Sequence, residues 1–78
     1  MSWNYRVVKF AGQDEEPDYY EIREVYYHRD GTLMGHCEAT VGGDSLPEII
    51  RVLDMMKQDA HRAVIKEEEF HARATDDN

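Results

Sequence analysis

The sequence predicts an α+β domain in which a three-stranded antiparallel sheet is followed by one amphipathic helix that packs on it, β-β-β-α in chain order. Three observations predict this. Two runs rich in aromatic and β-branched residues, 3–10 and 19–27, have the composition of strands. Residues 32–41 alternate between small or apolar and mostly polar side chains, the period of a half-buried strand. Past a Gly-Gly-Asp break, Leu46, Ile49, Ile50, Leu53, Met56 and Ala60 recur at spacings of mostly three or four, the stripe of a helix with one packed face.

The first strand, residues 3–10, places Trp3, Tyr5 and Val7 two apart. Residues 11–18 combine Gly12 and Pro17 with the acidic trio Asp14, Glu15 and Glu16, turn formers and like charges that predict an exposed, mobile loop. In the second strand, residues 19–27, alternation puts Tyr20, Ile22 and Tyr26 on one face and Tyr19, Glu21, Arg23, Val25 and Tyr27 on the other. Asp30-Gly31 then supplies residues that tolerate the positive φ of a tight hairpin.

In the third strand, residues 32–41, Leu33, Gly35, Cys37, Ala39 and Val41 share one side, and Thr32, Met34, His36, Glu38 and Thr40 the other. The first set is expected inside. Its middle is small, so the helix is expected to lie over Gly35, Cys37 and Ala39, with Cys37 buried and His36 in water. Ser45-Leu46-Pro47-Glu48 is a capping box, and Pro47 falls in the first helical turn, where its missing N–H costs nothing.

The helix is expected to run to about Arg62. Residues 63–66 either continue it or return as a short fourth strand beside the sheet. Beyond them Phe70 is the one large apolar residue among Glu67, Glu68, Glu69, His71, Arg73, Asp76 and Asp77. That composition predicts a single domain over residues 1–70, ending in a frayed helical turn, and a disordered acidic tail over 71–78.

With 78 residues there is room for one core, and a domain this small gains stability from self-association. A lone cysteine, Cys37, allows no internal disulfide and points to a reducing cytoplasm. Residues 1–10, broken by Asn4, Arg6 and Lys9, do not read as a signal peptide, and no apolar run approaches the roughly 20 residues that cross a bilayer. Seventeen acidic against nine basic residues give a charge of −8, which repels nucleic acid and attracts a basic protein surface.

No catalytic or cofactor motif is present, and one helix on three strands offers little concavity in which to build one. Gly42-Gly43-Asp44-Ser45 precedes a helix N-terminus, but Asp44 and Glu48 already place negative charge there, so it reads as a turn and cap. His28, His36, His61, His71 and Cys37 lack the pair spacing of zinc ligands. His61 and His71 are expected on solvated surface.

Trp3-Asn4-Tyr5-Arg6-Val7, residues 20–27, Asp30-Gly31 and Gly43-Asp44-Ser45-Leu46 resemble a group of small bacterial proteins that begin Trp-Asn-Tyr-Arg-Val. The resemblance runs to about Phe70 and implies a strand-hairpin-helix layout and no particular chemistry. Relatives carry a proline before the short apolar run, where this chain has Arg62-Ala63-Val64-Ile65. Gly43-Asp44-Ser45-Leu46 and the element order are also similar to the N-terminal domain of HicB-type antitoxins, a likeness that implies protein binding.

The expectation is therefore a non-enzymatic, cofactor-free protein-interaction module. Its candidate partner-binding residues are Tyr19, Arg23, Tyr27, Glu48 and Asp54. One alternative is an antitoxin-like inhibitor with Asp14, Glu15, Glu16, Glu48 and Asp54 as phosphate mimics. Another is a metal-binding or enzymatic unit built at a dimer interface from His36, Cys37 or His61. The strand-two face of Tyr19, Val25 and Tyr27, which no helix obviously covers, leaves open both a monomer and a homodimer formed through it.

Overall fold

The computed structural model describes residues 2–71, arranged as β1 (Ser2–Phe10), β2 (Tyr19–Tyr27), β3 (Leu33–Glu38), α1 (Leu46–Asp59) and β4 (Ile65–Lys66). The sheet order is β3-β2-β1-β4. β1 to β3 form the expected antiparallel meander, while β4 pairs parallel to β1 at Val8–Ile65 and Lys9–Lys66. The short apolar run after the helix is therefore a strand. Residues 72–78, most of the expected tail, lie outside the described residues. Among the described residues, no helix is long and apolar enough to cross a membrane.

Register defines two faces. Asn4 opposes Val25, Arg6 opposes Arg23, and Val8 opposes Glu21, so these residues share one side, here the first face. Tyr5 with Glu24 and Val7 with Ile22 share the second. Loop 11–18 is exposed as expected but stitched at its base: the Gly12 N–H donates to Asp18 at 2.9 Å, and Lys9 pairs with Asp18 at 3.3 Å. Gly12 is required there, because a Cβ would collide with the carbonyls of Glu16 and Pro17.

The hairpin after β2 differs in detail from the expected tight turn. Gly31 takes the positive φ, 88°, while Asp30 accepts hydrogen bonds from the Thr32 N–H and hydroxyl. The loop closes through His28 N–H to Thr32 O at 2.8 Å and Gly31 N–H to His28 O at 2.9 Å.

A register shift lies just beyond it. Tyr26 pairs with Gly35 and Tyr27 with Leu33, so Met34 is left over. One extra residue inverts the facing of everything before it. Leu33 therefore joins His36 on the first face, against the simple alternation that grouped it with Cys37. The expected burial of Cys37 is overturned: its thiol side is exposed. His36, expected in water, is half-buried with 13% of its side chain accessible.

The first face is closed by the chain's own C-terminal segment. Val8 and Val25 are fully buried with Ile65 against them, and Phe10, Tyr27, Leu33 and Phe70 pack around this cluster. After β4 the Glu67 N–H bonds Lys9 O at 2.9 Å, and Phe70 reaches across the sheet to the His36 ring, 4.6 Å between centroids. The strand-two face expected to be left open for a dimer is thus internal core around Val25.

The helix lies elsewhere than expected. α1 packs against β1, not over Gly35, Cys37 and Ala39. Met56 and Tyr5 are buried in that contact, and Ile49 and Val52 are half-buried. Its N-cap is as expected: Ser45 Oγ accepts the Glu48 N–H at 3.4 Å, and Glu48 reaches back to the Asp44 N–H at 2.5 Å. α1 ends at Asp59, before the expected Arg62. An acid at a helix C-terminus opposes the macrodipole. Here the Asp59 carboxylate accepts the Tyr5 N–H at 3.2 Å and Arg62 Nε at 3.0 Å, fastening the helix end to the margin of β1.

These assignments separate in mutants. Ile65→Ala should cost about 3 kcal/mol and lower the melting temperature by well over ten degrees, at roughly 4–8 °C per kcal/mol for a domain of this size. Cys37→Ser should change stability by no more than about 0.5 kcal/mol, as expected of a surface position. Thermal unfolding followed by circular dichroism checks both, and equal losses would contradict the inverted facing of β3.

Candidate interaction surface

The five residues singled out as partner-binding do not converge. Tyr19, Arg23 and Tyr27 lie on the first face, Glu48 and Asp54 on α1. Tyr19 is 59% exposed and rests against Phe10. Tyr27 is committed inside: its hydroxyl donates to Asn4 Oδ1 at 2.8 Å and accepts from Arg6 Nη1 at 3.0 Å. Glu48 is spent on the α1 cap, and Asp54 is exposed.

Arg23 belongs to a polar chain across the first face. Its Nη1 bonds Glu21 Oε2 at 2.6 Å, its Nε donates to His36 Nδ1 at 3.0 Å, and its guanidinium lies over Phe10. Accepting at Nδ1, neutral His36 carries its proton on Nε2, which points at Glu67 Oε2, 3.7 Å away. His71 Nε2 meets the same carboxylate oxygen at 2.8 Å. A metal-bound imidazole donates from its second nitrogen. His36 instead receives a donor there, and among the described residues no three His, Cys, Asp or Glu groups are placed to hold a metal.

This chain fastens residues 67–71 over the core. The His71 hydrogen bond, then the His36 contact, hold the Glu67 carboxyl below the usual carboxylate range, against partial desolvation. Beside Glu67, a cleft of about 270 Å³ at the ends of β1 and β4 and the base of loop 11–18 is lined by Lys9 and Lys66, offset by Asp18, Glu67 and Glu68.

On the second face, the Tyr26 hydroxyl donates to Glu24 Oε1 at 2.6 Å, and the Cys37 thiol lies 3.8 Å from the same oxygen. That hydrogen bond, with the Cys37 contact, holds the Tyr26 phenol well above its ordinary range. Cys37 and His36 project from opposite faces of β3, and His61 lies in the exposed turn after α1, so the three do not converge within one chain.

The open apolar surface is on α1. Leu46, Ile50 and Leu53 are 68%, 50% and 49% exposed. Their i, i+4, i+7 spacing makes them a stripe beside the Ile49–Val52–Met56 positions that meet the sheet. On the other flank, Trp3, 47% exposed, and Met55, 43% exposed, line a shallow groove of about 400 Å³ with Tyr5, Val52, Arg51 and Glu48. Trp3 is braced edge-on against Tyr5 at 5.1 Å.

Periodicity assigned Leu46, Ile50, Leu53 and Ala60 to the core. The signal against that was available: Leu46, Ile49, Ile50, Val52, Leu53, Met55 and Met56 together make an apolar arc wider than one sheet contact can cover. No family model, curated protein or solved structure matches the chain.

The Glu67 fastening sets a pH dependence. A carboxyl whose pKa is depressed in the fold stabilises above its unfolded pKa, and that contribution is lost as pH falls through the folded value. Glu67→Gln should therefore lower stability at pH 7 and leave it nearly unchanged near pH 3, as read by urea denaturation. An equal loss at both pH values would show that packing, not charge, holds the segment.

Proposed function

We propose that the protein is a non-catalytic interaction module that docks a partner protein on the outer face of α1. The supporting observation is the exposed Leu46–Ile50–Leu53 stripe on a helix whose neighbouring stripe already serves the core. Burying one such side chain is worth roughly 1.5–3 kcal/mol, and a helix presents anchors to a groove at this spacing. Trp3 and Met55 on the other flank are the residue types that anchor interfaces.

Charge adds the partner's character. At −8 the chain favours a basic protein, and Asp54 stands exposed beside Ile50 and Leu53. The phosphate-mimic version has less support, because Glu48 is engaged in the cap and Asp14, Glu15 and Glu16 lie on a separate loop. An exposed lone thiol fits a reducing compartment, so the module acts in the cytoplasm.

A photo-crosslinking residue placed at Ile50 should trap a defined basic protein from native cytoplasm, while one at Arg29, in the hairpin turn, should not. Ile50→Lys with Leu53→Lys should abolish the adduct formed from a probe at Met55 and keep the melting temperature within a few degrees. Capture from both probe sites alike, or none from either, would refute the reading.

A further inference from the structure

We propose that the outer edge of β3 pairs with the same edge of a second copy, joining two four-stranded sheets into one of twice the width. β3 is the terminal strand on its side. Among the described residues, no backbone or side-chain hydrogen bond reaches the backbone of Leu33–Glu38 from outside the sheet. Such a row of donors and acceptors is a template for another strand.

The two margins of the sheet are treated differently. Beyond β1, β4 pairs with Val8 and Lys9, Asp59 takes the Tyr5 N–H, and the Arg6 guanidinium bonds Ala63 O. That margin is occupied. Residues 32–41 contain no Lys, Arg or Pro, the side chains that most directly blunt an edge. The bulge at Met34 sits at the hairpin end and leaves residues 35–38 in regular register.

Charge selects the occupant. Residues 32–41 hold one charged residue, Glu38, in a chain with seventeen acidic and nine basic residues. Two copies at −8 each meet there with least repulsion, and a basic partner finds least there to attract it. A two-fold axis normal to the sheet makes the contact self-complementary and antiparallel. It also places both Cys37 side chains on one face near the axis.

Pairing one short strand lies at the low end of interface sizes, so the dimer is weak, with a dissociation constant on the order of 100 µM. Sedimentation equilibrium of the full chain between about 10 µM and about 1 mM spans that range. The mass should rise from 9.2 kDa toward twice that value, and a short bis-maleimide should link the two Cys37 thiols. Met34→Lys with Glu38→Lys makes the chain less negative, so it lowers repulsion, yet it should sediment as a folded monomer. Ile50→Lys with Leu53→Lys should dimerise like the parent. A parent that stays at 9.2 kDa throughout, or fails to crosslink at Cys37, overturns the proposal. So does an association lost in the α1 variant and kept in the β3 variant. The α1 reading is untouched by any loss confined to β3.

Discussion

Ile65 beside Val8 is the contact on which the other features depend. Val8 and Val25 sit at the centre of the first face, and a three-stranded meander alone would leave them in water. The chain returns after α1, lays two residues parallel to β1, and crosses the sheet with Phe70, so residues 65–71 supply the layer that buries them. A domain of this size has little surface to bury. Using its last described segment as a lid allows it to build a core on a face the helix does not reach.

α1 covers only the β1 side of the opposite face. It rests on β1 through Tyr5 and Met56, held at one end by the Ser45 cap and at the other by Asp59 on the Tyr5 N–H. The helix is located by polar fastenings as much as by apolar contact, which is why so much of its apolar arc stays at the surface. Surface of that kind costs solubility unless charge offsets it, and the excess of carboxylates does so. One feature of the sequence thus makes the other tolerable.

The polar chain from Glu21 to His71 performs the matching task on the first face. Arg23, His36 and Glu67 would each be costly beneath Phe10 and Phe70 without partners. Arg23 Nε and Nη1 donate to His36 and Glu21, and no buried side-chain nitrogen or oxygen among the described residues lacks a hydrogen bond. Electrostatics here hold the lid in register, while the aliphatic cluster beneath supplies its stability.

Local patterns were legible in the chain. The strand-forming runs at 3–10 and 19–27, the Asp30-Gly31 turn and the Ser45 capping box depend on interactions within a few residues, so the sequence by itself determined three strands followed by a helix, while the state of residues 63–66 waited on pairing with β1. What tertiary structure decided was facing and pairing. A single unpaired residue, Met34, inverts the sides of β3 and sends Leu33 inward and Cys37 outward, and alternation cannot register an insertion whose position is set by the partner strand. Likewise the six-residue helical stripe could not say which sheet face was already taken. Phe70, distant in sequence, covers the first face, while α1 lies on the second through Tyr5 and Met56, at β1 and not at β3, with Leu46, Ile50 and Leu53 in solvent.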